Sequence, residues 1–103
     1  MTSVGDHPLQ RLDDVVHQRV RLGILAVLGK ADRAEFTYLR KTLDLTDGNL
    51  SRHLGVLEQA GYVEIHKAFE DRKPRTWVHA TRSGRAALAA EVAALRELLA
   101  DHV

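Results

Sequence analysis

Residues 45–63, Leu-Thr-Asp-Gly-Asn-Leu-Ser-Arg-His-Leu-Gly-Val-Leu-Glu-Gln-Ala-Gly-Tyr-Val, constrain the fold more than any other stretch of the chain. Leu50, Leu54 and Leu57 recur at helical spacing and form one apolar stripe, while Asn49, Arg52, Val56 and Gln59 fall toward other sides. Thr46 stands where a helix start needs a side-chain oxygen to take an unpaired backbone N–H, and Gly61 stands where a helix stops. The stretch therefore predicts a capped amphipathic helix with a polar face left over, running into a strand at Tyr62.

The flanking segments extend this unit. Leu39 and Leu43 mark a short helix before the turn at Asp44 and Leu45, with Thr37 as its expected N-cap and Glu35-Phe36 as at most a stub of strand. Two short helices joined by so few residues have the spacing of a helix-turn-helix. After Gly61, residues 62–69 and 76–80 are rich in β-branched and aromatic residues and partly alternate. They read as a hairpin whose tip is the polar, Pro-containing run from Glu70 to Arg75, with Pro74 confined to an edge or the tip. Phe69 and Trp77 read as core of that hairpin.

The outer segments read as long helices. Leu9, Leu12, Val16, Val20, Ile24, Leu25 and Leu28 recur at spacings of three and four, predicting a helix over 9–28 with room for a break near His17. Residues 1–8 read as a flexible N-terminal arm that Pro8 ends. Thr81 caps a last helix to about Ala100, in which Leu88, Val92, Leu95 and Leu99 form a seam of the kind that takes a partner helix. The expected fold is mainly α with a small β-hairpin, a winged helix-turn-helix with long N- and C-terminal dimerisation helices, built as a single domain over residues 9–103.

Composition narrows the function. Absence of cysteine excludes disulfides, thiolate metal sites and Cys nucleophiles for this chain. A net charge of +1 is a weak nucleic-acid signal by itself. Its distribution says more: Arg72, Lys73, Arg75, Arg82 and Arg85 follow one another with no acid between them, a patch suited to phosphates. No run of apolar residues is long enough for a membrane span or a secretory signal, so the expected location is cytoplasmic, on the nucleoid when bound to DNA. No nucleophile elbow, phosphate loop or metalloprotease pattern occurs, and the chain is not expected to be an enzyme.

Residues 43–63, followed by Asp71-Arg72-Lys73-Pro74-Arg75-Thr76 and Thr81-Arg82-Ser83-Gly84-Arg85, resemble the compact winged-helix transcriptional regulators related to the MarR and ArsR families. The likeness covers roughly Val20 to Leu88. It implies a homodimer whose first and last helices pack across a two-fold axis, with the two recognition helices in successive major grooves of double-stranded DNA. The dimer interface would then comprise Leu9, Leu12, Val16, Leu88, Val92, Leu95 and Leu99. Lacking Cys, the chain departs from the thiolate metal sensors among ArsR-like proteins, and it shows no obvious long effector domain, so a built-in ligand response is not expected.

Within that frame the recognition-helix candidates are Thr46, Gly48, Asn49, Ser51, Arg52 and His53. Arg52 suits a bidentate pair with guanine and Asn49 one with adenine, each discriminating by about 1–3 kcal/mol. Gly48 either lets a phosphate approach the positive helix end or is a turn residue. His53 either reaches a phosphate or covers the core edge. On the wing, Lys67, Arg72, Lys73 and Arg75 suit the backbone or minor groove, against the opposing charge of Glu70 and Asp71. The expected function is a sequence-specific regulator, a repressor on a palindromic operator. Two alternatives stay open: a winged-helix module for protein contacts, and a metal or small-molecule sensor. The six histidines raise the last, His66 and His79 being candidate cross-strand neighbours, but no spacing supplies a convergent ligand set. Neither metal nor cofactor is expected, and an effector is left open.

Overall fold

The computed structural model describes residues 7–102; the expected arm, residues 1–8, lies almost wholly outside them. Four helices and a three-stranded antiparallel sheet follow the winged-helix order. They are α1 (Arg19–Leu28), β1 (Ala34–Glu35), α2 (Phe36–Thr42), α3 (Asp47–Gln59), β2 (Val63–Glu70), β3 (Lys73–Ala80) and α4 (Arg82–Leu98), with 3-10 turns at Pro8–Arg11 and Ala100–His102.

The two helices of the helix-turn-helix end in the same way. At the end of α2, Leu45 N–H donates to Arg40 O and Asp44 N–H to Lys41 O; at the end of α3, Tyr62 N–H donates to Leu57 O and Gly61 N–H to Glu58 O. This pair of hydrogen bonds satisfies carbonyls that a helix otherwise leaves bare, and it needs one left-handed residue. Asp44 (φ 53°) and Gly61 (φ 80°) fill that position. The α3 start is capped as expected, Thr46 Oγ1 accepting from Asn49 N–H at 3.1 Å. Thr81 caps α4 in the same manner through Gly84 N–H at 3.0 Å.

Leu50, Leu54 and Leu57 are buried with Ile24, Leu25 and Leu28 of α1, Leu39 of α2, and Val63, Val78 and Ala80 of the sheet. Each such burial stabilises by about 1.5–3 kcal/mol, so the stripe fixes which face of α3 looks outward.

In the sheet β3 is central, with β1 pairing Ala34 to Val78 and Glu35 to Trp77. The β2–β3 register runs from Val63 opposite Ala80 to Glu70 opposite Lys73. The wing tip is thus only Asp71 and Arg72, both left-handed at φ 51° and 65°. That is the two-residue turn whose twist matches the strands. The expected tip from Glu70 to Arg75 is shorter than predicted, and Pro74 lies inside β3 opposite Phe69. It is tolerated because that pair, next but one to a two-residue turn, exchanges no hydrogen bonds, and β1 ends before reaching it.

Three expectations are corrected. The helix over 9–28 is two pieces, because side chains between them take the backbone donors a continuous helix would use. Asp13 Oδ1 accepts from Val15 N–H at 2.8 Å and Val16 N–H at 3.1 Å. Gln18 Oε1 then accepts from Val20 and Arg21 N–H, both at 2.9 Å, and starts α1 afresh. Second, α2 begins at Phe36 after Glu35, with no side-chain cap, so Thr37 is not its N-cap. The pairing of Glu35 with Trp77 sets the start instead. Third, Val16 is fully buried in the core of its own chain and cannot serve a dimer interface.

Glu91 of α4 holds the interrupted segment. It is fully buried, yet its carboxylate accepts from Asp13 N–H at 3.0 Å and lies 2.7 Å from His17 Nδ1. Tyr62 Oη donates to Asp13 Oδ2 at 2.7 Å. Partial burial works against ionised Asp13, but the bonds from Tyr62, Val16 and Val15 outweigh it and hold the carboxyl below its ordinary range. The same bond to Asp13, with burial and the carboxylate charge, pushes the Tyr62 phenol up. Gly84 lets the start of α4 press on Tyr62, since a Cβ there would lie 2.0 Å from Tyr62 O.

Candidate nucleic-acid interface

Because the leucine stripe faces the core, the outer side of α3 presents Gly48, Asn49, Ser51, Arg52, Val56 and Gln59 to solvent. Asn49, Arg52 and Val56, at i, i+3 and i+7, share one stripe. Among the described residues, no internal hydrogen bond or ion pair engages the side chains of Asn49, Ser51 or Arg52. Thr46 is exposed and spends its oxygen on the cap. A Cβ on Gly48 would meet nothing within 4 Å, so the backbone there opens to solvent. Asp47, which sequence reasoning did not single out, sits at this end bonded to Arg40 of α2 at 3.0 Å, joining the two helices of the motif.

His53 departs from expectation. It is 7% exposed, and its Nδ1 lies 3.2 Å from Arg21 Nη1. Arg21 also donates through Nε to Val15 O at 2.6 Å. Burial, then the charges of Arg52 and Arg21, push the imidazole below its ordinary value, so it is the neutral acceptor of the Arg21 bond. His53 thus supports the helix from inside instead of reaching a phosphate. The signal was available: it stands three residues after Leu50 and one before Leu54, on the buried side.

On the wing, the register separates the basic residues. Lys67 lies on the sheet face toward α3, lining a cavity of about 380 Å³ with Ser51, Leu54, Gly55 and Glu58. Phe69 lies on that same face but past the helix, 74% exposed, so it is not core of the wing. Arg72 occupies the tip and Lys73 the strand start beside it, both exposed. Arg75 is half-buried among acids, 2.7 Å from Glu35 Oε1, 3.8 Å from Glu70 Oε2 and 3.9 Å from Asp71 Oδ2. Trp77 is covered by Arg33, whose guanidinium carbon is 3.6 Å from the ring centroid.

Elsewhere, the expected dimer residues other than Val16 are all at least partly exposed. Leu9 is 54% and Leu99 45% exposed, while Leu12, Leu88, Val92 and Leu95 are half-buried. Leu88 and Val92 line a groove of about 390 Å³ with Leu25, Gly29, Ala89 and Ala93. Among the described residues, Glu64, His66 and His79 alone bring three ligand-type side chains together, their ligand atoms within 4.8 Å of one another. They sit on the outer face of the wing, away from α3. No helix among these residues is long and apolar enough to cross a membrane.

Comparison with known proteins matches this geometry. A family model described as a winged helix DNA-binding domain matches residues 20–99. The uncharacterized protein MJ0432 of Methanocaldococcus jannaschii is 44% identical over 68 residues, covering 66% of this chain and 74% of that protein. The transcriptional regulator homologue protein from Pyrococcus horikoshii superposes with a TM-score of 0.86 at 34% identity, over 91% of this chain and 95% of that one. Overoxidized AbfR, in a structure bound to DNA, has the same fold, with a TM-score of 0.75 at 21% identity over 92% of this chain and 69% of its own. The chain belongs to the winged helix DNA-binding domain family: it is a DNA-binding transcriptional regulator of the winged-helix type.

Proposed function

We propose that the chain acts as a homodimeric repressor on a palindromic operator, with α3 in the major groove and the wing on the backbone or minor groove. The observation that carries this reading is the outer face of α3, where Asn49, Ser51 and Arg52 are exposed and, among the described residues, meet no side-chain hydrogen-bond or ion-pair partner. Polar side chains at the start of such a helix are the ones that meet base edges. Thr46 and Gly48 hold the helix end open to a phosphate.

The wing supplies affinity more than sequence choice. Arg75 spends its charge on Glu35, Glu70 and Asp71, so its part is to quiet the acids beside the tip. Arg72, Lys73 and Lys67 are then the cations offered to phosphates. Arg72 has a further mark: a left-handed backbone is costly for a residue with a side chain, by roughly 1–2 kcal/mol, and here it carries an arginine at the outermost point of the hairpin. Backbone cost of this kind gathers where function requires it.

Dimerisation rests on Leu9, Leu12, Leu88, Val92, Leu95 and Leu99, of which the groove along α4 and the exposed ends at Leu9 and Leu99 are the open parts. Two copies related by a two-fold would set half-sites about one helical turn apart, roughly 34–36 Å. A fluorescence anisotropy titration with promoter DNA of the chain's own gene tests the reading. Binding should be saturable, steeply weakened by salt, and reduced by Arg52→Ala. Equal binding by wild type and Arg52→Ala would overturn the placement of α3. Sedimentation showing a monomer at micromolar concentration would overturn the dimer.

A further inference from the structure

We propose that Glu64, His66 and His79 form a binding site for a divalent transition-metal ion of the zinc class, at the base of the wing and separate from the DNA-facing surface. Glu64 and His79 stand directly opposite each other on β2 and β3, and His66 is two residues along β2. Opposed and alternate residues of an antiparallel pair point to one face. Val63, Ile65, Val78 and Ala80 take the other face toward the core, so the three ligands look outward. Strand pairing fixes this placement before any ion arrives.

The distances fit one ion. His66 Nε2 is 3.4 Å and His79 Nε2 3.5 Å from the same oxygen, Glu64 Oε2. A tetrahedral zinc bound to N and O ligands at about 2.0–2.1 Å holds neighbouring ligand atoms about 3.4 Å apart. The two imidazoles stack in parallel, centroids 5.0 Å apart with planes 4° from parallel. This brings both Nε2 atoms to the same end of the stack, and all three ligand atoms lie within 4.8 Å of one another. Rotation of the part-exposed imidazoles out of their stack turns both Nε2 lone pairs onto one ion beside Glu64.

Two imidazoles and a carboxylate make a donor set that suits zinc, nickel or copper(II), whereas magnesium and calcium prefer all-oxygen surroundings. The ligands are part-exposed, with side-chain exposures of 57% for Glu64, 59% for His66 and 32% for His79, so an ion can enter and water can take the fourth position. Bound there, the ion ties β2 to β3 near their junctions with α3 and α4. Because the unfolded chain does not hold these ligands together, binding stabilises the fold by mass action.

Isothermal titration of untagged protein with zinc chloride, and with magnesium chloride as comparator, provides the test, read beside melting temperature. Wild type should bind one zinc per chain and melt higher with it, while magnesium does neither. Loss of a partner one shell out already lowers metal affinity by roughly 10–100-fold, so His66→Ala/His79→Ala should cost at least about 100-fold. His7→Ala/His102→Ala should bind as wild type does. Zinc should also shift the ring nitrogen resonances of His66 and His79 in wild type, a readout that folding alone does not move. The proposal is overturned if wild type shows no saturable zinc binding, or if the His66→Ala/His79→Ala protein, folded by circular dichroism, binds zinc equally well.

Discussion

The Leu12–Gln18 segment and the start of α3 are both rich in polar side chains and put most of them to opposite uses. In the first, Asp13 takes two backbone N–H groups and the Tyr62 hydroxyl, Glu91 takes Asp13 N–H and faces His17, and Gln18 caps α1. In the second, Thr46 caps the helix, Asp47 binds Arg40 and His53 turns inward to Arg21, while Asn49, Ser51 and Arg52 are left exposed. Polar groups consumed internally fix a conformation, and removing one leaves its buried partner unsatisfied. Those left outward contribute little to stability and are available to a ligand. Stability and DNA binding should therefore separate cleanly by region.

The largest effect expected from this contrast is that of Glu91→Ala. It strands Asp13 N–H and releases the interrupted segment, at a cost of roughly 2–3 kcal/mol, and thermal melting should fall by about 10 °C or more. A melting temperature unchanged by Glu91→Ala would erase the distinction between the two regions. Gly84→Ala should follow, at about 1–3 kcal/mol, since its new Cβ must push Tyr62 and with it the bond to Asp13. Denaturant unfolding measures that loss directly.

The opposite behaviour is expected on the outer face of α3. Arg52→Ala should leave melting within about 0.5 kcal/mol of wild type and weaken operator binding by roughly 5–150-fold, the equivalent of about 1–3 kcal/mol. Anisotropy and calorimetry on the same preparation check both halves. Arg72→Gly sharpens the contrast, because glycine accepts the left-handed tip without penalty. Melting should rise, by up to about 1 kcal/mol in stability, while DNA affinity falls and its dependence on salt becomes shallower by about one contact. A variant that gained affinity would remove Arg72 from the interface.

The smallest effects are those of pH. The folded carboxyl of Asp13 is held below its unfolded value, so its stabilisation is complete above about pH 4 and is lost on further acidification. His53, also depressed, binds its proton more readily in the unfolded chain, and stability should begin to fall as pH drops below about 6.5. Chemical denaturation across this range should show both slopes, with Asp13→Asn flattening the lower and His53→Gln the upper.

The helix-turn-helix was legible because its determinants are local. Thr46, the leucines at 50, 54 and 57, and Gly61 act within a few turns of one another, and Thr81 caps α4 by the same short-range chemistry. Asn49 and Arg52 could be placed on the outer face by angle alone. His53 was misplaced although its position already put it beside the stripe, and Phe69 was misplaced because an apolar residue at a strand end was taken for core.

What the residues determined by themselves is where helices start and stop and which face of α3 is apolar, since propensity, capping and periodicity operate over one or two turns of chain. Tertiary structure decided the rest. The interrupted segment after residue 12 is held in place by Glu91, a carboxylate 78 residues away that takes Asp13 N–H. The α2 start is set by a strand pair between Glu35 and Trp77, and Glu64, His66 and His79 converge only through the β2–β3 register. Each depends on a partner distant in sequence, and no local pattern carries the position of a distant partner.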